Sequence, residues 1–347
     1  MGERERNRCR ERIERIADAD LDAEQARCAA ITELRHAIGF ERWCWPLTDP
    51  DTGLAMSGIG EFDFVPSLPR LVALEEHGDV TSKPHLVIGA RASLALSAAT
   101  CGDLARSRRW RECLHPYGIG DEVMTVCRDR YGCWGSVELM RDRDDRPFDD
   151  DDVRLLNELA PTLGALLRER FVRGLDRQGF DLDVRPPGTI ILDGRLSAIG
   201  RTAPLNEWLD DLASRDTLPP AVYEIGARVL TPPELAHRLP PRVRVRTRSG
   251  PWCVIEGARL EGDASPHVII TVRAATADEI CDVLCKAHGL TERQRQVVSL
   301  ARGGLATTRL AHALGISPYT VQDHLKAIFE KTGVRSRREL VSHLVGQ

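Results

Sequence analysis

Apolar and polar positions follow two different periods along this chain, and the change of period divides it. In residues 121–140 and 243–272 apolar residues gather in short alternating runs, the pattern of half-buried strands. Beyond residue 290 the spacing becomes threes and fours, the pattern of amphipathic helices. There the elements also carry their own punctuation. Thr291 with Gln294 three residues on forms a capping box, and Val297, Val298, Leu300 and Ala301 supply a buried side before Gly303 and Gly304. A short second helix opens at Thr307 or Thr308 and turns Leu310, Ala311 and Leu314 inward. Gly315 ends it, and a third helix starts on Ser317, a preferred N-cap, with Pro318 at the first helical position, where its missing N–H costs nothing. Val321, Leu325, Ile328 and Phe329 then form one apolar stripe, with Tyr319, Gln322, Asp323, Lys326 and Glu330 on the other side. Gly333 suits the left-handed position after a helix end, and Lys331 in the last turn complements the macrodipole. Ser336 to Glu339 is a further capping box, opening a last helix with the strip Leu340, Val341, Leu344 and Val345. The pattern predicts an all-α domain of four helices within 276–347, built around a helix-turn-helix.

Two mixed segments precede it. In the first, residues 23–38 read as a helix, 40–45 and 54–59 as strands around the turn-rich 48–53, and 68–77 as a helix. Residues 121–128 and 133–140 read as antiparallel strands joined at Asp129-Arg130-Tyr131-Gly132. From Phe148, four aspartates in the first turn favour a helix, whose apolar side is Leu155, Leu156, Leu159, Leu163, Leu166 and Leu167 up to about Phe171, with Pro161 a candidate kink. That leucine face is open to two readings, burial in its own domain or pairing across a dimer axis. In the second segment a hairpin, 189–192 and 196–199, flanks Asp193-Gly194-Arg195, helices follow at 203–213 and 221–230, and strands at 243–248, 252–260 and 268–272. Residues 1–19 alternate Glu and Arg, as in a solvated helix with pairs such as Glu11 and Arg15, or a frayed tail. The expected boundaries are 1–19, 20–174, 187–275 and 276–347.

Charge is unevenly placed. Ten Lys or Arg oppose four Asp or Glu from Lys286 to Gln347, so this end carries +6 and the remainder −10 of the chain's net −4. A basic end attracts phosphate, and an acidic body avoids coating DNA at random. No run of eighteen apolar residues and no secretory signal is present, so a cytoplasmic protein without a membrane partner is expected. The ten cysteines, which form no CxxC or zinc spacing, should then be reduced. Cys281 and Cys285, four apart, share one face of any helix they occupy. The group Cys101, Cys113, His115, Cys127 and Cys133 is dense enough to keep a redox or haem reading beside that of buried thiols.

The segments Leu290-Thr291-Glu292-Arg293-Gln294, Leu314-Gly315-Ile316-Ser317, Thr320 to Lys326 and Lys331 to Arg337 resemble the DNA-binding domain of LuxR-type transcriptional regulators. The resemblance implies double-stranded DNA as partner, with Gln322, Asp323 and Lys326 as contacts and Thr320, Val321 and His324 placing the helix. Ser317, Tyr319, Lys331, Arg335 and Arg338 complete the expected DNA-binding set. Where many relatives carry Lys, this chain has Gln322, which pairs with adenine, beside Asp323, which accepts from cytosine N4. The resemblance also implies a homodimer with Leu340, Val341 and Leu344 between heads, set against packing inside the head; Leu159, Leu163 and Leu166 are the candidates on the leucine helix. RNA polymerase is a further expected partner.

Residues 20–174, closing on Arg146-Pro147-Phe148 and four aspartates, resemble a GAF domain, and 187–275, opening on Ile190 to Arg195, are similar to a PAS domain. The implied fold class is multidomain: two α/β sensor-type domains with antiparallel sheets and helices, then the four-helix head. A small ligand in either sensor domain is expected, and its cofactors are unknown. Trp43 and Trp45 alternate as strand-core residues, and the pocket spacing of quorum-sensing relatives is absent, as is a receiver's acid and lysine set. No P-loop, GxSxG or HExxH motif appears, and Cys113 with His115 lacks an orienting acid, so no catalytic or metal-ligating residue is assigned. The expected function is a ligand- or redox-responsive transcriptional regulator, the alternative a thiol- or haem-based sensor or protein-interaction adaptor.

Overall fold

The computed structural model describes residues 3–61, 67–176, 185–212, 218–262 and 266–345. Gly2 of the expected opening helix, Ala213 of the expected 203–213 helix and the side chain of Val345 lie outside the described residues.

The first unit begins with helices α1 (Glu3–Asp18) and α2 (Ala23–Ile38) and strands β1 (Arg42–Thr48) and β2 (Ala55–Gly60). Helices α3 (Leu68–Glu76) and α4 (Lys83–Ile88), the short strand β3 (Ser93–Ala95) and helix α5 (Leu96–Ala99) follow. After an irregular helical run that includes Trp110–Leu114 come β4 (Ile119–Asp129), β5 (Gly132–Asp142) and the long helix α6 (Asp150–Asp176). The sheet is antiparallel in the order β2-β1-β5-β4-β3. Alternation along the hairpin sorts its two faces. Val123, Val137 and Leu139 join Trp43 and Trp45 in one core under α2 and α6, whereas Met140 belongs to the core on the opposite face. Asp149 accepts from the backbone of Asp151 and Asp152 at the start of α6, and the helix continues through Pro161.

The second unit comprises β6 (Gly188–Leu192), β7 (Ala198–Arg201), α7 (Leu205–Leu212), α8 (Pro220–Leu230), β8 (Arg242–Arg246), β9 (Trp252–Leu260) and β10 (His267–Ala274). Its antiparallel order is β7-β6-β10-β9-β8, so both sheets run second, first, fifth, fourth, third. In both, helices fill the connection from the second strand to the third. Helix α8 packs on α3, and Leu71 and Val72 share a core with Val222 and Ile225.

The helical end consists of α9 (Ala277–Ala287), α10 (Glu292–Arg302), α11 (Thr307–Leu314), α12 (Pro318–Thr332) and α13 (Arg337–Val345). It has five helices where four were expected. The extra one, α9, starts on a Thr276–Glu279 capping box and buries Ile280, Val283 and Leu284 with Trp252 and Val254 of β9. The core therefore runs unbroken across the expected boundary at 275.

Several other expectations change. The charged start is a packed helix: Cys9 and Ile13 are buried, and Arg12 and Arg6 pair with Glu33 and Asp151 of other helices. Arg15 bonds the backbone oxygen of Glu11, not its carboxylate. Leu159, Leu163 and Leu166 are sealed inside their own domain, and Leu340 and Leu344 inside the head, so none has surface left for a partner. Val341 alone of the expected dimer residues remains partly exposed. Among the described residues no helix is long and apolar enough to cross a membrane.

Candidate nucleic-acid interface

Local chemistry sets the angle between α11 and α12. Gly315 adopts the left-handed conformation at φ 62°, which lets the Ile316 N–H reach back to the Ala311 carbonyl at 3.0 Å. Two residues on, the Ser317 hydroxyl accepts from the Thr320 N–H at 3.0 Å and starts α12. Arg293 of α10 donates to the Leu314 carbonyl and ties the turn to the supporting helix. That tie was not anticipated, because nothing in the local pattern marks a contact between residues so far apart in sequence.

Helix α12 divides as its spacing requires. Val321, Leu325 and Ile328 are buried with Val297, Val298 and Leu310, and Gln322, Asp323 and Lys326 lie on the exposed side. Tyr319 is 73% exposed at the helix start, a large aromatic in open solvent. Ser317 is exposed, and Thr320 and His324 are half-buried beside it. Arg335 and Arg338 are exposed near the turn into α13. A concave surface bounded by Gln322, Lys326, Glu330 and Arg335 has Leu325, Phe329 and Val334 at its floor.

Two members of the expected set serve the head itself. Val321 is 0% exposed and contributes only packing. The Lys331 ammonium donates to the Gly289 carbonyl at 2.8 Å and to Gln294 Oε1 at 2.9 Å. Gln294 meanwhile accepts from the Thr291 N–H at 2.9 Å, so one amide oxygen caps α10 and anchors the end of α12. Lys331 thus ties the end of α12 to the start of α10.

The cysteines expected as a group do not share one core. Cys113, Cys127 and Cys133 occupy three separate cores, and Cys101 is exposed. Burial pushes the thiols of Cys127 and Cys133 up, against the ionisation that redox chemistry needs. Cys113 lies in an irregular helical turn, and His115 stacks on Trp110 with ring centroids 4.5 Å apart. Cys281 and Cys285 share a buried face of α9, with sulfurs 3.9 Å apart. Among the described residues no group of three or more His, Cys, Asp or Glu is placed to hold a metal ion.

Residues 288–344 match the family model GerE, described as bacterial regulatory proteins of the luxR family. The chain is 45% identical over 53 residues to a monoamine regulon transcriptional regulator of Klebsiella aerogenes, covering 15% of this chain and 23% of that protein. It is 35% identical over 78 residues to the transcriptional regulatory protein FixJ of Rhizobium meliloti (strain 1021), covering 22% of this chain and 37% of FixJ. The chain thus spans between 23% and 37% of the length of these curated relatives. Both are regulators of transcription, which agrees with the expectation of a non-enzymatic protein. The solved structure of Escherichia coli SdiA aligns over 98% of this chain and 97% of its own at 10% identity, with a TM-score of 0.34. The carboxy-terminal region, residues 288–344, is a GerE domain of the luxR family of bacterial regulatory proteins.

Proposed function

We propose that this protein is a sequence-specific, DNA-binding transcriptional regulator that acts as a cytoplasmic homodimer. One observation carries the reading: α12 buries Val321, Leu325 and Ile328 on one face while Gln322, Asp323 and Lys326 are exposed on the other. In this reading Gln322 and Asp323 read base edges in the major groove and Lys326 holds a phosphate. Tyr319, Arg335 and Arg338 flank the same surface, Ser317, Thr320 and His324 set the approach, and RNA polymerase is met at the promoter.

The two sheet units act as sensors, GAF-like and PAS-like, and their shared strand order supports a pair of related modules. Arg168 of α6 donates to the Ala287 carbonyl at 2.9 Å, and Lys286 pairs with Asp51, so the head is tied to the first unit at the end of α9. A ligand favouring one arrangement of this junction would change DNA affinity through its differential binding to the two states. The redox reading of the Cys101 to Cys133 group loses support from the burial of Cys113, Cys127 and Cys133 in separate cores.

Selection of bound fragments from genomic DNA with the full chain tests the reading. Recovered sequences should share paired half-sites about ten base pairs apart, or a multiple of that. Recovery without sequence enrichment would reject it.

A further inference from the structure

The face of the first sheet turned away from α6 carries an unusual load of buried charge. Glu138 of β5 pairs in register with Cys44 of β1 and Met124 of β4, and its side chain lines a cavity of about 330 Å³. The opposite wall comes from the second unit, with Ala221 and Glu224 of α8, Val245 and Ile255. The cavity is thus a joint product of the two units. Apolar side chains make up most of its lining, Met56 and Leu71 among them.

Four carboxylates and two cations meet around it. Arg109 is committed to Glu122, which it grips with two nitrogens, and also donates to Thr81 at 2.9 Å. The Lys83 ammonium lies 2.6 Å from Glu224, an ion pair that crosses between the units, and Glu224 also accepts from the Ala55 N–H at 2.7 Å. Among the described residues, Glu75 accepts from the Lys83 backbone N–H alone, at 3.1 Å. Glu138 is 9% exposed and, among the described residues, has no hydrogen-bond or ion-pair partner. A carboxyl group this buried ordinarily has a partner.

We propose that this interdomain cavity binds a small organic cation, an apolar primary amine, whose ammonium group pairs with Glu138 while its hydrocarbon body lies against the apolar wall. Lys83 and Arg109 are already paired with Glu224 and Glu122, so neither cation is left to neutralise Glu138 once it ionises. Among the described residues no group of three or more His, Cys, Asp or Glu is placed to hold a metal ion here, and the lining is mostly apolar. The cavity's size is at the lower end of the range for small-molecule sites, about 300 Å³. Its purpose rests on the sensory reading above; its ligand class rests on the cavity alone.

Burial, reinforced by Glu122 and Glu75 and opposed by Lys83 and Arg109, pushes the Glu138 carboxyl up to about 8. Cys44, raised by burial and then by Glu138, and Glu224 complete the titratable groups facing the site. Raised to about 8, Glu138 is held largely protonated in the empty site at neutral pH, beside Glu75, whose carboxyl burial also pushes up. Binding an ammonium ion favours the carboxylate and expels one proton to solvent.

Calorimetric titration of the full chain, without DNA, tests this with three six-carbon probes: hexylammonium, hexanol and hexanoate. Hexylammonium should bind one to one, at least tenfold more tightly than hexanol or hexanoate. At pH 7 it should release close to one proton, measured in buffers of different ionisation enthalpy. Its affinity should rise by up to about tenfold per pH unit until pH 8. Glu138→Gln, isosteric and neutral, should fold, lose at least tenfold in hexylammonium affinity and show no proton release. Equal binding of hexanol, equal binding by Glu138→Gln, or no binding of any probe would overturn the assignment. Because no DNA is present, these results leave the DNA reading untouched, and a failed DNA contact leaves the cavity untouched.

Discussion

Arg244 of the second unit grips Asp49 of the first through two bonds of 2.8 Å, from Nε and Nη2 to the two carboxylate oxygens. The same guanidinium reaches Asp51, and at 3.2 Å it meets Asp282 of α9. One side chain, 4% exposed, thus joins both sheet units and the helix that leads into the head.

Removing that fork leaves the Asp49 carboxylate buried without its cation. Arg244→Met is expected to destabilise the chain by about 3–5 kcal/mol, because a buried charge stripped of its partner keeps its desolvation cost. Urea unfolding measures this. An unchanged midpoint would show that the junction is not structural.

The turn into α12 depends on two small residues. Ser317→Ala should cost about 1 kcal/mol through the lost cap. Gly315→Ala should cost about 1–2 kcal/mol, since a Cβ disfavours the left-handed backbone even though nothing crowds the position. Amide exchange in α11 and α12 should accelerate in both variants while exchange in β4 and β5 stays unchanged.

Acid and base should act on the cavity in a definite direction. Glu138 is raised to about 8 from its ordinary value of 4.5. The folded chain therefore holds more protons than the unfolded chain between those values, and this group's contribution to stability falls as pH rises through that window. Glu138→Gln should remove this component of the decline, so its midpoint should gain on the parent's between pH 5 and 8. Parallel profiles for the two proteins would contradict the assignment.

Base discrimination and head architecture should separate by residue. Gln322→Ala should relax preference at one position of the selected site by about 1–3 kcal/mol. Lys331→Met should instead lower head stability by about 1 kcal/mol through its lost bonds to Gly289 and Gln294, with sequence preference intact. Competition binding against single-base variants reads the preference of both variants, and urea unfolding reads the stability of Lys331→Met.

What the sequence disclosed follows the range of each interaction. Ser317-Pro318, Gly315, Gly333 and the Thr291–Gln294 box act within a few residues, so α10 to α12 were legible at their ends as well as their faces. Helix α1 misled because its burial rests on two side chains, Cys9 and Ile13, in an otherwise charged run. Strand β3, only three residues long, offers no period to detect. The Lys83–Glu224 pair joins residues 141 apart, and neither carries a local mark of its partner. Lys331 entered the expected DNA-binding set, and its bond to Gln294, 37 residues away, carries no local mark in the sequence.

The account's central claim is that α12 enters DNA by its exposed face, and Lys326 tests it most directly. Anisotropy titrations on a selected duplex, repeated across salt concentrations, compare the parent chain with Lys326→Ala. Weaker binding to every sequence and a salt slope shallower by about one are predicted, as expected for one lost phosphate contact. Equal affinity and equal slope at physiological salt would contradict it.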